Sequence, residues 1–140
     1  MSVPPSTVTI PCRRYARYPA EAIDSVLAQT RPADEVLVMD VGSQDATANV
    51  IDRYDGRVRR VPLSFMDIYP ARQIALELAR FEFFLNLDAD DRLPPHFIER
   101  TLEVIAREGD SRLARWCTRA RSFSAMPRAI CLRNPTTSTA

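Results

Sequence analysis

The stretch Phe83-Phe84-Leu85-Asn86-Leu87-Asp88-Ala89-Asp90-Asp91 constrains this chain more than any other. An apolar run of strand length stops in three carboxylates. Arg92-Leu93-Pro94-Pro95 then denies the backbone any continuation as a strand, because proline has no N–H to give to a ladder. In an extended backbone Asp88 and Asp90 point the same way. Two carboxylates about 4 Å apart repel by roughly 4 kcal/mol at an effective dielectric near 20, so a proton, an arginine or a divalent cation must relieve them. Hard oxygen donors suit Mg or Mn, and a cation held this way carries phosphates as its remaining ligands. The motif by itself is weak, since 11 Asp in 140 residues yield about one Asp-x-Asp by chance. Asp91 reads equally well as the cap of a helix beginning near Pro94.

The order of elements around the stretch gives it a setting. Thr7–Ile10 reads as a short strand ended by Pro11, followed by a cationic, aromatic loop through Tyr18. Pro19 suits a first helical turn, and Ile23, Val26, Leu27 and Thr30 line one face before Pro32 closes the helix. Glu35–Asp40 is nearly all apolar, as a strand buried on both faces would be. Ser43 is a good helix cap, with Thr47, Val50, Ile51 and Tyr54 as the next stripe up to Asp55-Gly56. Val58 and Val61 mark a third strand, and residues 63–69 read as irregular. A helix from about Pro70 would bury Ala71, Ile74, Ala75, Leu78 and Ala79. The strand at 82–87 follows, and then a helix with Phe97, Ile98, Thr101, Leu102 and Ile105 on one side, stopped by Gly109. Strand and helix alternate with short connections. That order predicts an α/β fold: a mainly parallel sheet with helices on both faces and right-handed crossovers. In such sheets ligands gather at the carboxyl ends of the strands, where the three aspartates lie.

Composition narrows the class. With 46% hydrophobic and 26% charged residues the chain is a folded domain rather than a disordered one. No apolar run approaches the ~18 residues of a membrane span, and the N-terminus lacks the basic and apolar regions of a signal peptide. Cys12, Cys117 and Cys131 have no metal-ligand spacing, which fits free thiols in a reducing cytoplasm. The single histidine, His96, reads as a surface residue at a helix start. Residues 1–110 carry 13 Arg against 18 acids, a balance of −5, whereas residues 111–140 carry six Arg and no acid. That break divides the chain into a domain over 1–110 and a poorly defined basic tail over 111–140, in which Leu113–Arg121 alternates as one further strand. The tail is read as a folding boundary and not as a nucleic-acid arm.

Ile10-Pro11, Ile23 through Thr30, Glu35 through Thr47, Ala71-Arg72 and Leu87 through Asp91 together resemble family 2 glycosyltransferases, in order and spacing, from residue 8 to about 107. The resemblance implies a Rossmann-like nucleotide-diphospho-sugar transferase fold, incomplete at its C-terminus, that binds a nucleotide-sugar donor through a divalent Mg or Mn ion. It implies Asp90 as the metal ligand and Asp88 near the ribose and sugar. Pro11 and Asp40 would line the nucleoside pocket, and Arg72 would face the diphosphate or base. The acceptor would be a glycan, lipid or polysaccharide.

The departures concern specificity and completeness. Val41 stands where the family's second Asp commonly meets the base, Arg13-Arg14 replaces Tyr-Asn, Gln73 replaces Asn and Ala75 replaces Gly. These weaken the expectation of a uridine preference. No Asp or Glu follows Asp110, so no catalytic base is assigned. The chain is therefore expected to be a donor-binding half domain, truncated, frameshifted near residue 111, or completed by self-association or a partner chain. Two other functions stay open: a non-catalytic nucleotide-sugar-binding remnant, and a nucleotidyltransferase. The latter is weakened by the lack of a Gly-rich phosphate loop among only three glycines.

Overall fold

The computed structural model describes residues 4–13, 17–64, 67–108 and 130–133. Its elements in chain order are β1 (Ser6–Cys12), α1 (Pro19–Leu27), β2 (Glu35–Val41), α2 (Thr47–Asp52), β3 (Arg59–Leu63), α3 (Ile68–Leu78), β4 (Phe83–Asn86), α4 (Phe97–Glu108) and β5 (Ile130–Arg133). They build one five-stranded sheet in the order β3-β2-β1-β4-β5. β1 to β4 are mutually parallel, and β5 runs antiparallel to β4. The expected α/β alternation is therefore present. β5 lies within residues 111–140, the stretch set apart by its charge, and forms one edge of the sheet; Leu113–Arg121 is outside the described residues.

The strands are apolar because both faces are covered. Val8, Ile10, Val36, Val38, Leu85 and Leu87 meet Ile23 and Val26 of α1, Ile51 of α2, and Ile98, Leu102 and Ile105 of α4. On the opposite face Leu37, Met39, Val41 and Phe84 meet Ala71, Ala75 and Ala79. The spacing of four puts these alanines on one face of α3 and its end, and their small size lets the helix sit close to the sheet. Each fully buried Val, Leu or Ile contributes about 1.5–3 kcal/mol. The chain moves outward from β1 to β3 and then doubles back to β4. Right-handed crossovers require α3 to lie on the other face, as it does.

Two polar contacts set the β1–β2 register at the strand starts. Ser6 N–H donates to Asp34 Oδ2 at 2.9 Å, and Thr7 Oγ1 donates to Glu35 Oε2 at 2.9 Å. The structure corrects several local expectations. β1 runs through Pro11, which pairs in register with Met39. Leu87 N–H donates to the Thr9 carbonyl as the last rung toward β4. Pro11, two residues further on, faces the side from which β4 has already departed, so its missing N–H costs no ladder bond. α2 starts at Thr47, where Asp45 Oδ1 accepts the backbone N–H at 3.0 Å; Ser43 is not the cap. α3 starts at Ile68, two residues before Pro70, because Asp67 caps it through the Tyr69 N–H at 3.0 Å.

Reversal of direction after β1 gives the sheet its switch point. β2 lies on one side of β1 and β4 on the other, and in open α/β sheets ligands bind in the crevice outside the carboxyl ends of the strands at such a point. Pro11 and Cys12 end one strand beside it, and Asp88 follows the other.

Candidate donor site at the strand ends

Asp88–Asp91 is a turn, not the extended segment expected from the spacing. The Asp91 N–H donates to the Asp88 carbonyl at 3.0 Å. Carboxylate oxygens of Asp88, Asp90 and Asp91 consequently lie within 4.8 Å of one another, with Asp90 exposed and the other two half-buried. Among the described residues this is the one group of three or more acidic, histidine or cysteine side chains spaced to hold a metal ion. Asp91 therefore joins the acidic cluster rather than capping α4, which begins only at Phe97. All its donors are hard oxygens, which fit Mg or Mn and not a thiolate metal.

Arg72 and Asp88, both singled out from the sequence, meet directly. The Arg72 guanidinium (Nη2) donates to Asp88 Oδ1 at 2.7 Å, and Asn86 Nδ2 donates to the same oxygen at 3.4 Å. α3 supplies the arginine from above the sheet, so one positive charge already offsets part of the triplet's repulsion. Arg72 Nε is buried with no hydrogen-bond partner.

Asp40 is the penultimate residue of β2, 5% exposed and in register with Cys12. Arg60 Nη1 lies 3.1 Å from Asp40 Oδ2, and Arg60 Nε lies 2.9 Å from Asp52 Oδ1 on α2. Asp40 Oδ1 is buried without a partner. The Cys12 thiol is free, donates to the Ile10 carbonyl at 3.7 Å, and is pushed up to about 12 by burial and then by the Asp40 charge. It is an inert, protonated core group. β1 separates Asp40 from the acidic turn, so the two sites stand about two strand spacings, ~10 Å, apart. Pro11 lies between them.

Val41 points the other way. It is fully buried on the α3 face, under Ala71 and Ala75, while Asp40 faces the α1–α2 side. Gly42 follows with φ 55, a conformation that favours glycine, and its N–H donates to the Leu63 carbonyl at 2.8 Å. Arg13 is half-buried, and Arg14 is outside the described residues. Sequence reasoning missed Arg60 and Asp52. The available signal was the alternation of β3, which turns Arg60 to the same face as Val38 and calls for a carboxylate there.

The family model for glycosyl transferase family 2 matches residues 7–124. This chain belongs to glycosyltransferase family 2. Within that family it is 35% identical over 105 residues to an uncharacterised glycosyltransferase of Nostoc sp., covering 70% of this chain and 32% of that protein. It is 32% identical over 109 residues to the hyaluronan synthase of Pasteurella multocida, covering 76% of this chain and 11% of the synthase. Among solved structures it resembles S. aureus TarS in complex with UDP-GlcNAc (TM-score 0.68, 26% identity, 73% of this chain and 31% of that one). It also resembles a mannosyltransferase of Pyrobaculum calidifontis in complex with GDP-Man and Mn2+ (TM-score 0.65, 26% identity, 76% and 33%). The family 2 chain thus spans about a third of the length of the Nostoc protein. No helix among its described residues is long and apolar enough to cross a membrane.

Proposed function

We propose that residues 1–110 bind a nucleotide-sugar donor across the ends of β1, β2 and β4. The protein they serve would transfer the sugar, with inversion, to a glycan, lipid or polysaccharide acceptor. The observation that carries this reading is the acidic turn beside Arg72 at the switch point of the sheet. Asp90, with Asp88 and Asp91 beside it, would hold Mg or Mn. When bound, that ion supplies positive charge to the diphosphate as it departs. Arg72 adds a fixed guanidinium on the same side, and Asp88 stands where it can accept from a ribose or sugar hydroxyl. Pro11 would offer the nucleoside a compact apolar ring with no N–H donor. Asp40, held through one oxygen by Arg60, keeps its other oxygen as an acceptor for a nucleoside N–H or hydroxyl. The free thiol of Cys12 agrees with a cytoplasmic setting.

A second reading is donor binding without transfer, since no carboxylate beside the acidic turn and Arg72 is assigned as the base that an acceptor hydroxyl needs. Calorimetric titration with UDP-sugars and GDP-sugars, with and without Mn2+, tests donor binding. Mn2+-dependent binding is expected, and its absence for every donor would overturn the proposal. Product analysis with an acceptor panel separates the two readings.

A further inference from the structure

The ladder that carries β4 ends at Leu87, so the like-charged turn at Asp88–Asp91 lies beyond the backbone hydrogen bonds between β1 and β4. The residues immediately after it are instead tied to α1. Leu93 N–H donates to Ser25 Oγ at 3.0 Å, Gln29 Nε2 donates to the Pro94 carbonyl at 2.7 Å, and Thr30 N–H donates to the Pro95 carbonyl at 2.9 Å. Ile98 N–H, in the first turn of α4, donates to Gln29 Oε1 at 3.0 Å, and Arg92 pairs with Glu21. Ser25 and Gln29 are four apart and so share one face of the α1 segment. Both are saturated. Ser25 Oγ also donates to the Ala22 carbonyl at 2.8 Å, and Gln29 Nε2 also donates to the Ser25 carbonyl at 3.0 Å. Gln29 is only 5% exposed, so water cannot replace these partners. The Pro94-Pro95 pair has no N–H with which to brace itself, which leaves its carbonyls to α1.

We infer that Ser25 and Gln29 are positioning residues of the acidic turn: α1 clamps residues 93–98 and thereby keeps the three carboxylates converged. Truncating either side chain strands a buried N–H or carbonyl in the strap and lets charge repulsion open the turn. Loss of such outer support typically weakens a metal site by about 10- to 100-fold.

The test uses the full chain carrying Ser25→Ala, Ser25→Thr, Gln29→Leu or Ile51→Ala. The last lies on α2, outside residues 93–98, and serves as a control of lowered melting temperature. Two quantities are read: Mn2+ affinity by titration, and amide exchange at Asp91 relative to Val38 and Ile10 in the sheet. Ser25→Ala and Gln29→Leu should each raise the Mn2+ Kd about tenfold and accelerate Asp91 exchange about tenfold without moving the sheet amides. Ser25→Thr, which keeps the hydroxyl, should match the unmodified protein. Unchanged Asp91 exchange in both truncations, or equal losses in Ile51→Ala, would overturn the inference. The Mn2+ arm rests on the donor-site reading above, whereas the exchange arm does not. An unmodified protein that binds no Mn2+ would therefore remove that reading and leave the clamp to be decided by Asp91 exchange.

Discussion

Arg60 and Asp40 form an ion pair at 3.1 Å at the end of β2, with Asp40 almost fully buried and Arg60 about one-third exposed. Strand β3 brings the guanidinium to the same face as Val38, and Asp52 on α2 holds its other edge at 2.9 Å. A carboxylate so deep in the sheet is tolerable because this arginine offsets its charge. Arg60→Ala should therefore destabilise the fold by about 2–3 kcal/mol, less than a fully buried pair because Arg60 is partly solvated. Asp40→Asn on top of Arg60→Ala should recover part of that loss, since a neutral amide needs no counter-charge. A double-mutant cycle in urea checks both, and additive losses would show that the two groups are not coupled.

At the acidic turn, Mn2+ should raise the melting temperature of the unmodified chain, by linkage worth about 2.7 kcal/mol at a hundredfold excess over Kd. Asp90 is exposed, so Asp90→Asn should leave the metal-free protein folded and abolish the Mn2+ shift. Equal shifts in both proteins would remove Asp90 from the metal site.

Read from the sequence alone, the Val41 departure predicts that Val41→Asp would sharpen a preference for uridine. The burial of Val41 under α3 changes that expectation. Val41→Asp would place an uncompensated carboxylate in the apolar layer, at a cost on the order of 3–5 kcal/mol. The expected result is a large fall in melting temperature, with Val41→Thr milder; a stable Val41→Asp protein with new uridine selectivity would contradict the orientation of this side chain.

The Cys12 thiol, raised from 9.0 to about 12, makes stability depend on pH in the alkaline range. Below pH 9 the thiol is protonated folded or unfolded and contributes no pH dependence. As pH rises from 9 toward 12 only the unfolded chain ionises, so stability falls, by up to about 4 kcal/mol at the upper end. In a Cys117→Ser, Cys131→Ser background, Cys12 should resist thiol reagents until the fold melts. Cys12→Ala should move the alkaline unfolding midpoint upward.

The sequence by itself determined the alternation of strands and helices, the family, and the place where charge collects. Those features are local: apolar runs of strand length, helical stripes such as Ile23 and Val26, and three aspartates after Leu87. Tertiary structure alone decided which charges meet. Arg72 reaches Asp88 from another element, and Arg60 reaches Asp40 across the parallel β2–β3 pair, in which Arg60 stands opposite Val38. It also decided that Val41 faces away from the site, and that Asp91 bends into the cluster while Gln29, 69 residues from Ile98 in sequence, takes that first-turn N–H of α4. The reason is physical. Periodicity reports which face of an element is apolar, but a hydrogen bond or ion pair between distant residues depends on strand order, register and side-chain reach. Those become definite only once the sheet has closed around its core.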